Sequence, residues 1–398
     1  MAERRDYFAA LNALLREVGS GVPRLVIDLD RLDHNIDWLR QLQIPERVRI
    51  VAKSLPSPRL LDYIFDRLGE QRLMVFHLPF LLQLIDAFPG ADILMGKPVP
   101  MAAMRRFYTD RTVNAFDDFR QLQWLVDSNA RLLQIIDLAN ELNLRISVSI
   151  ELDIGMHRGG IASRRDLAVM LDTIRAHQDV LRLSGFMGYD AHVPKAPLPG
   201  SVHRAAARAQ QRYGEFLEFA LTEFADLEER EWCVNGAGSP TIAMHGDESP
   251  LNDYSIGSAL VKPASFDLPT LAELEPAVWI ASPVLKRSKG VHIPFAKRLP
   301  APGRDTIFIY GGKWMAIPDF PPGMKQSKTY GVSSNQQMFT VPADSGIAVD
   351  DHVFLRPTQS EAVLLQFGDL MIVRGDRLLD NWPVLDNAGF PARTTAAT

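Results

Sequence analysis

The chain has 398 residues, a hydrophobic fraction of 46%, a charged fraction of 23% and a formal net charge of -5. This composition is typical of a soluble globular protein, the length predicts two domains, and the acidic balance argues against a nucleic acid partner. A single cysteine excludes an internal disulfide framework and favours a reducing, cytoplasmic location, and the apolar runs are too short and too polar to span a membrane.

The first two-thirds of the chain alternate short β-branched runs with segments whose apolar residues recur every three or four positions. These strand and helix units predict an α/β fold, with a parallel (β/α)8 TIM-type barrel over residues 22–269. An open sheet remains an alternative, because spacing alone does not close a barrel. The predicted strands are Leu25–Asp28, Arg49–Ala52, Arg72–Val75, Asp92–Met95, Thr112–Ala115, Arg145–Leu152, Leu183–Met187 and Trp232–Asn235.

Residues 1–21 carry charges throughout and predict an amphipathic helix that packs on one of the two domains. A further extended run at Asp253–Ile256 gives a ninth strand, so either this strand or the first one belongs to the neighbouring domain. The predicted helices between the strands are Leu32–Leu42, Leu60–Leu68, Ala102–Tyr108, Phe119–Asn143, Arg165–His177 and Arg204–Phe224.

The sequence changes character after Pro269. Helical periodicity fades, prolines and glycines cluster, and short strands recur. This pattern predicts a separate, mostly antiparallel β-domain over residues 270–388. Its predicted strands are Ala277–Ala281, Thr306–Tyr310, Gln337–Val341, His352–Arg356 and Leu370–Arg374.

Four predicted strand ends carry residues suited to chemistry, and a barrel gathers its chemistry at the carboxyl ends of its strands. Lys53 follows the second strand, and Arg158 lies among glycines after the sixth. Tyr189 and His192 follow the seventh strand, and the eighth is followed by a glycine-rich segment whose N–H groups and hydroxyls suit a phosphate.

Each of these residues also has an ordinary structural explanation when it is taken alone. A lone lysine after a strand is usually a solvated residue at the rim of the barrel, and Arg158 could close a turn through an ion pair. A Gly-Ala-Gly run is weak support for a phosphate site without its context. The functional interpretation gains weight because a closed barrel would bring all four strand ends together.

The order of these residues resembles the fold-type III pyridoxal phosphate enzymes of the alanine racemase N-terminal domain superfamily. Within them it is similar to the D-threonine aldolase and D-serine dehydratase branch. The residues that carry the resemblance are the run from Val26 to Ile36, Ala52-Lys53, Glu151-x-Asp153-x-Gly155-Met156-x-Arg158-x-Gly160, Tyr189-x-x-His192, Gly236-x-Gly238-Ser239-x-Thr241 and Gly257-Ser258.

The resemblance implies that pyridoxal 5'-phosphate is the cofactor, that Lys53 is its Schiff-base lysine, and that Arg158 faces its phenolic oxygen. Tyr189 and His192 would act beside it, with His192 as the candidate base, since imidazole titrates near neutral pH. A homodimer is also implied. The residues expected to hold the phosphate are Gly236, Gly238, Ser239 and Thr241, helped by Gly257 and Ser258.

The chain departs from this branch near its end, where relatives hold zinc or manganese with a Pro-x-His-x-Cys or Pro-x-His-x-Asp element. Gln359 and Glu361 stand at the matching positions, and Gln337 replaces a second histidine. A Gln/Glu pair is a poor zinc site, and its oxygen ligands favour a hard ion such as magnesium or manganese.

Three functions remain open. The first is a lyase that cleaves a D-configured 3-hydroxy amino acid, with glycine or another amino acid and an aldehyde as products, helped by Glu361. The second is an amino acid racemase or epimerase, for which Tyr310 or Tyr330 would supply a second acid or base, across a dimer interface. The third is a non-enzymatic cofactor carrier, against which the extra β-domain argues.

Overall fold

The computed structural model describes residues 2–42, 44, 47–111, 115–197, 200–228, 230–293, 296–299, 303–327 and 331–387. Within them, eight parallel strands form a closed barrel and nine strands form a second, mostly antiparallel sheet, which confirms the predicted fold class. The first nine strands are β1 (Arg24–Asp28), β2 (Val48–Val51), β3 (Arg72–Val75), β4 (Asp92–Met95), β5 (Leu122–Val126), β6 (Ile146–Leu152), β7 (Leu181–Gly188), β8 (Cys233–Gly236) and β9 (Asp253–Ile256).

The barrel consists of β2 to β9, and parallel pairing between β2 and β9 closes it. Its strands are largely buried on both faces because helices cover the outside; every residue of β5 and of β7 is buried. No helix in the described ranges is long and apolar enough to cross a membrane. The helices are α1 (Ala2–Val18), α2 (Leu29–Gln41), α3 (Pro58–Leu68), α4 (Leu78–Ala87), α5 (Met101–Asp110), α6 (Asp118–Gln121), α7 (Asn129–Leu142), α8 (Arg164–Ala176) and α9 (Ser201–Glu223).

The fifth strand of the chain corrects one prediction. The apolar spacing of Phe119–Asn143 predicts a single helix, but β5 interrupts it. The side chains of Asp117 and Ser128 each accept the backbone N–H three residues later, so each begins a new helix, α6 and α7. The strand predicted at Thr112–Ala115 falls largely outside the described residues.

The second sheet contains β1, which pairs antiparallel with one later strand and parallel with another. The first strand, and not Asp253–Ile256, therefore belongs to the neighbouring domain. Its other strands are β10 (Val278–Lys289), β13 (Arg304–Tyr310), β14 (Ala316–Phe320), β15 (Lys325–Gln326), β16 (Gln336–Pro342), β17 (His352–Pro357), β18 (Asp369–Arg374) and β19 (Arg377–Pro383). Strands β11 (Val291–Ile293) and β12 (Ala296–Leu299) form a separate two-stranded sheet.

The chain divides into two compact units. Of the described residues, the sheet unit contains those from 2 to 38 and from 258 to 384, and the barrel unit contains those from 39 to 257 and from 385 to 387. These bounds differ from the predicted ranges 22–269 and 270–388, because β1 lies between β10 and β18 in the sheet. Helix α1 joins the same unit, where Phe8 packs with core residues of the sheet.

The amino-terminal ends of the barrel strands enclose a buried ion pair. The Arg49 side chain is fully buried on β2, and its Nε and one terminal nitrogen each lie 2.8 Å from an oxygen of Asp253 on β9. Its other terminal nitrogen lies 2.8 Å from the carboxylate of Asp92, and Asn235 also donates to Asp253. The pair ties strands β2, β4, β8 and β9 together at one end of the barrel.

Candidate active site

Lys53 lies in a short 3₁₀ turn, Ala52–Ser54, directly after β2. Its Nζ is 4.5 Å from the centre of the Phe76 ring, which follows β3. No hydrogen bond or ion pair joins Lys53 to another described residue. The amine is therefore left available for a ligand, beside an aromatic wall.

Phe76 keeps its position because Gly96, which follows β4, carries no side chain. A Cβ at Gly96 would overlap the Phe76 ring. Phe76 also packs on an apolar layer inside the barrel, together with Val51 and Tyr189. This layer forms a shared floor for the ends of β2, β3 and β7, and its buried members are Met74, Leu94, Leu125 and Met187.

The loop between β6 and α8 carries Arg158 and is shaped by Asp153. The Asp153 carboxylate accepts the N–H of Gly155 at 3.0 Å and the N–H of His157 at 2.9 Å, and it pairs with His157 Nδ1 at 2.7 Å. Burial disfavours the charged form, but these hydrogen bonds hold the pKa of Asp153 below its usual range. The loop so fixed places the Arg158 guanidinium carbon 5.3 Å from the Tyr189 ring centre.

Glu151, at the end of β6, is a functional candidate that the motif alone did not single out. It pairs in register with Met187, whose side chain belongs to the interior layer, so Glu151 faces the barrel interior as well. Burial raises the pKa of Glu151, the Arg158 charge opposes this rise, and Asp127 and Asp153 add to it. A carboxyl group able to hold a proton at higher pH therefore lies beneath the Arg158 loop.

The glycine-rich loop after β8 turns tightly against Tyr189. The carbonyl of Gly238 accepts the N–H groups of Thr241 and Ile242, both at 2.9 Å, and Ala237 adopts a φ of 60°. A Cβ at Gly238 would lie 2.8 Å from a Tyr189 ring carbon. Only glycine at this position lets the loop and the ring approach each other so closely.

Gly257 connects the glycine-rich loop to the Lys53 turn. Its N–H donates to Ser239 Oγ at 3.2 Å, and a Cβ on it would lie 2.9 Å from the Cβ atoms of both Ser54 and Val51. Contacts therefore run without interruption from the Lys53 turn through Gly257 and Ser239 to the loop, Tyr189 and Arg158. The barrel brings together all four strand ends that the sequence singled out.

Two of the residues predicted to hold the phosphate make other contacts within the protein. The buried Thr241 hydroxyl donates to Asp190 at 2.7 Å, and a Cβ at Gly236 would lie 2.7 Å from Leu251. Thr241 and Gly236 therefore stabilise the position of the loop. Gly238 and Ser239 form the part of the loop that approaches Tyr189 and Gly257. No sequence signal indicated Asp190 as the partner of Thr241, because their pairing depends on the barrel register.

His192 packs against the loop between β6 and α8. Its Nε2 is 3.0 Å from the position that a Cβ on Gly155 would take, and its buried Nδ1 has no hydrogen-bond partner among the described residues. It lines a cavity of about 460 Å³ between the β6–α8 loop and α9, whose described lining residues do not include Lys53. Among the described residues, no hydrogen bond joins His192 to Lys53.

The residues proposed for a metal lie in the sheet unit, where serines engage the carboxylate. Ser258 Oγ and Ser360 Oγ are 2.8 Å apart, and both donate to Glu361 Oε2 at 3.3 Å. Gln359 is exposed, and the described ranges contain no group of three or more His, Cys, Asp or Glu side chains placed to hold a metal. In this structure the Glu361 carboxylate therefore accepts hydrogen bonds from the hydroxyl groups of the two serines.

Three further predicted positions have different outcomes. Gln337 is buried, and its Oε1 accepts the N–H of Lys313 at 2.7 Å, so it holds a turn of the sheet unit. Tyr310 is 42% exposed at the end of β13, and Tyr330 lies outside the described residues.

A family model and several solved structures match the chain. The family model described as "Alanine racemase, N-terminal domain" matches residues 27–264. Among curated proteins, none matches the chain significantly.

Among solved structures, the chain is similar to D-threonine aldolase from Filomicrobium marinum, with 20% identity and a TM-score of 0.71, covering 92% of this chain and 97% of that one. It is similar to D-threo-3-hydroxyaspartate dehydratase from Delftia sp. HT23, with 18% identity, a TM-score of 0.70 and coverage of 91% and 97%. It is also similar to alanine racemase from Bacillus anthracis, with 17% identity, a TM-score of 0.67 and coverage of 91% and 97%.

Proposed function

The chain belongs to the alanine racemase N-terminal domain family, whose members use pyridoxal phosphate, and on that premise we propose that it is a lyase. Its substrate is a D-configured 3-hydroxy amino acid, which it cleaves to glycine or another amino acid and an aldehyde. The observation that carries the proposal is the continuous set of contacts from the Lys53 turn through Gly257 and Ser239 to Tyr189 and Arg158.

The residues at this site fit the cofactor. Gly238 and Gly257 carry no Cβ, which lets the Tyr189 ring and the Lys53 turn approach the loop closely, and Ser239 adds a hydroxyl suited to a phosphate. Lys53 would bind the aldehyde through Nζ, and Arg158 would face the phenolic oxygen. When bound, the cofactor withdraws electrons from the α-carbon of an amino acid, so that a bond at that carbon can break.

The proposed reaction also requires a side chain that can hold a proton and transfer it. The role of His192 as the base for the β-hydroxyl stays a prediction, because its cavity does not include Lys53 among its described lining residues. We assign the proton-holding role to Glu151, which faces the interior and whose pKa burial raises. An unchanged pH profile of kcat/KM in a Glu151→Gln variant would contradict this assignment.

A racemase is the second candidate, and one observation favours it. Glu361 accepts hydrogen bonds from Ser258 and Ser360, which leaves the usual metal position of the lyase branch without two free ligands. Tyr310 is exposed, as a residue that serves a second copy of the chain would be. A homodimer and a cytoplasmic location are part of the proposal in either case.

A substrate panel separates the two functions. The protein is incubated with D- and L-3-hydroxy amino acids, and aldehyde and glycine are assayed before and after exhaustive chelation. A lyase releases aldehyde from D-substrates only, and we expect chelation to change its rate less than about twofold, since Gln359 and Glu361 are poor ligands. Inversion with exchange of the α-hydrogen for deuterium, and no aldehyde, would identify a racemase. Activity restored only by added manganese or magnesium would refute the metal-independent site.

Gly238→Ala is expected to weaken pyridoxal phosphate binding at least tenfold, because the added Cβ collides with the Tyr189 ring and displaces the loop. Absorbance titration of the cofactor-free protein measures the dissociation constant. Gly246→Ala is the matched control, since a Cβ there meets no atom within 4 Å. Equal affinities in the two variants would show that the loop does not bind the cofactor.

A further inference from the structure

The cavity between the β6–α8 loop and α9 has the features of a second binding site. Its volume of about 460 Å³ lies within the range of ~300–1,000 Å³ that small-molecule sites occupy. The loop contributes Gly155 and His157, the segment after β7 contributes His192, and α9 contributes Arg208 and Arg212. All of these residues belong to the barrel unit.

The charges around the cavity favour an anion. Arg208 and Arg212 are one helical turn apart and line the same face of α9. Arg208 is exposed and forms no ion pair with a described residue. Arg212 donates to the backbone carbonyls of Asp153 at 2.6 Å and Ala162 at 2.9 Å, so its hydrogen bonds leave its charge uncompensated by a carboxylate.

The acidic groups nearby are engaged elsewhere. Glu215 lines the cavity but accepts a hydrogen bond from Gln211 at 2.9 Å, and no ion pair links it to an arginine in the described ranges. The Asp153 carboxylate is occupied by His157 and by the N–H groups of its own loop. Arg208 and Arg212 therefore both line the cavity, and no carboxylate of a described residue pairs with either of them.

His192 contributes to the cavity a buried ring nitrogen that lacks a hydrogen-bond partner among the described residues. Its ring is confined against Gly155, and its buried Nδ1 has no partner among the described residues. Leaving a buried polar atom unpaired is unfavourable, so a ligand or a water that meets it would stabilise the site.

We propose that this cavity binds a small oxyanion, a dicarboxylate or an inorganic or organic phosphate, between Arg208 and Arg212. The fork of a guanidinium group matches two oxygens of either anion, and two such groups one turn apart match a doubly charged ligand. The described residues that line this cavity do not include Lys53, and the proposal does not depend on which reaction the Lys53 centre performs.

Binding here would be coupled to Arg158 through the loop. Gly155 and His157 line the cavity, and the same loop, fixed by Asp153, continues directly into Arg158. A ligand that fills the cavity restrains this loop and so restrains the arginine beside Tyr189. By linkage, a cofactor that engages Arg158 would in turn tighten anion binding by the same factor.

Isothermal titration of the cofactor-loaded full-length protein with inorganic phosphate and, separately, with succinate tests the proposal, at constant ionic strength set with chloride. We expect saturable binding of at least one probe, weakened at least tenfold by Arg208→Gln. Arg204→Gln is the matched control, because Arg204 is an exposed residue on the same helix that does not line the cavity.

The two probes distinguish a phosphate site from a carboxylate site, and either result supports the proposal. Absence of saturable binding in the wild type, or equal binding in the Arg208 and Arg204 variants, would overturn it. Retention of the cofactor absorbance in both variants shows that they are folded and that the Lys53 centre is intact.

Discussion

Replacement of Lys53 by alanine is expected to lower the lyase activity by at least roughly 1,000-fold and to remove the yellow absorbance of the bound cofactor. The amine is the group that forms a covalent bond with the cofactor aldehyde, and loss of a covalent catalytic group typically costs several orders of magnitude. A visible spectrum and the initial rate on the best substrate of the panel measure the two effects.

Lys97→Ala is the matched control, since Lys97 is also a lysine just after a barrel strand but is exposed. It should keep both the absorbance and the rate. The Lys53 variant should remain folded, because the interaction of the Lys53 ammonium with the Phe76 ring stabilises the fold by only about 0.5–1 kcal/mol. A yellow and active Lys53→Ala protein, or a colourless wild type that ignores added pyridoxal phosphate, would remove the basis of the proposed function.

Asp253→Ala is expected to destabilise the barrel by about 3–5 kcal/mol, because it leaves the fully buried Arg49 without its main partner. The midpoint of urea unfolding, followed by tryptophan fluorescence, measures the loss. Glu141→Ala provides a control, because its pair with Arg105 is exposed and its removal should leave the midpoint nearly unchanged. If Asp253→Ala does not fold, Asp253→Asn, which keeps the shape and removes the charge, gives a smaller measurable loss.

The same ion pair predicts how stability depends on pH. Burial alone would raise the pKa of Asp253, but the charge of Arg49 and the hydrogen bonds from Arg49 and Asn235 hold that pKa below its ordinary value of 3.8. The stabilisation is therefore complete above 3.8 and is lost as the pH falls toward the lowered pKa of the folded state. The stability gap between the wild type and Asp253→Asn should shrink over this acidic range. A gap that stays constant would show that Asp253 is not charged in the folded protein.

Much of the fold follows from local sequence pattern, and the exceptions have local causes. The pattern predicts strands such as β3 and β4 at their observed bounds, because a short buried run between turn residues is a local signal. It does not reveal β5, because the apolar run of this strand continues the spacing of the helices beside it. The N-cap residues Asp117 and Ser128 mark the starts of the two helices that β5 separates.

The domain of the first strand cannot be derived from local pattern at all. Leu25 to Ile27 have the same apolar character as the barrel strands, and only pairing with residues far along the chain assigns them to the sheet. The arrangement of the candidate site likewise cannot be derived from local pattern alone. The types of residue at the strand ends can be predicted from the sequence, but the inward direction of Glu151 and the confinement of His192 against Gly155 depend on register and packing.

The position of β1 has a consequence for how the protein is made. Val26 pairs with Trp279 and Met371, which leave the ribosome roughly 250 and 345 residues later. At about 5–20 residues per second, this strand waits for its partners for roughly 10–70 s. All eight barrel strands are synthesised in that interval, whereas an apolar strand with two unpaired edges remains open to aggregation. Arg24–Asp28 is thus synthesised before the eight barrel strands and acquires both of its neighbours in the sheet only after Met371 has been made.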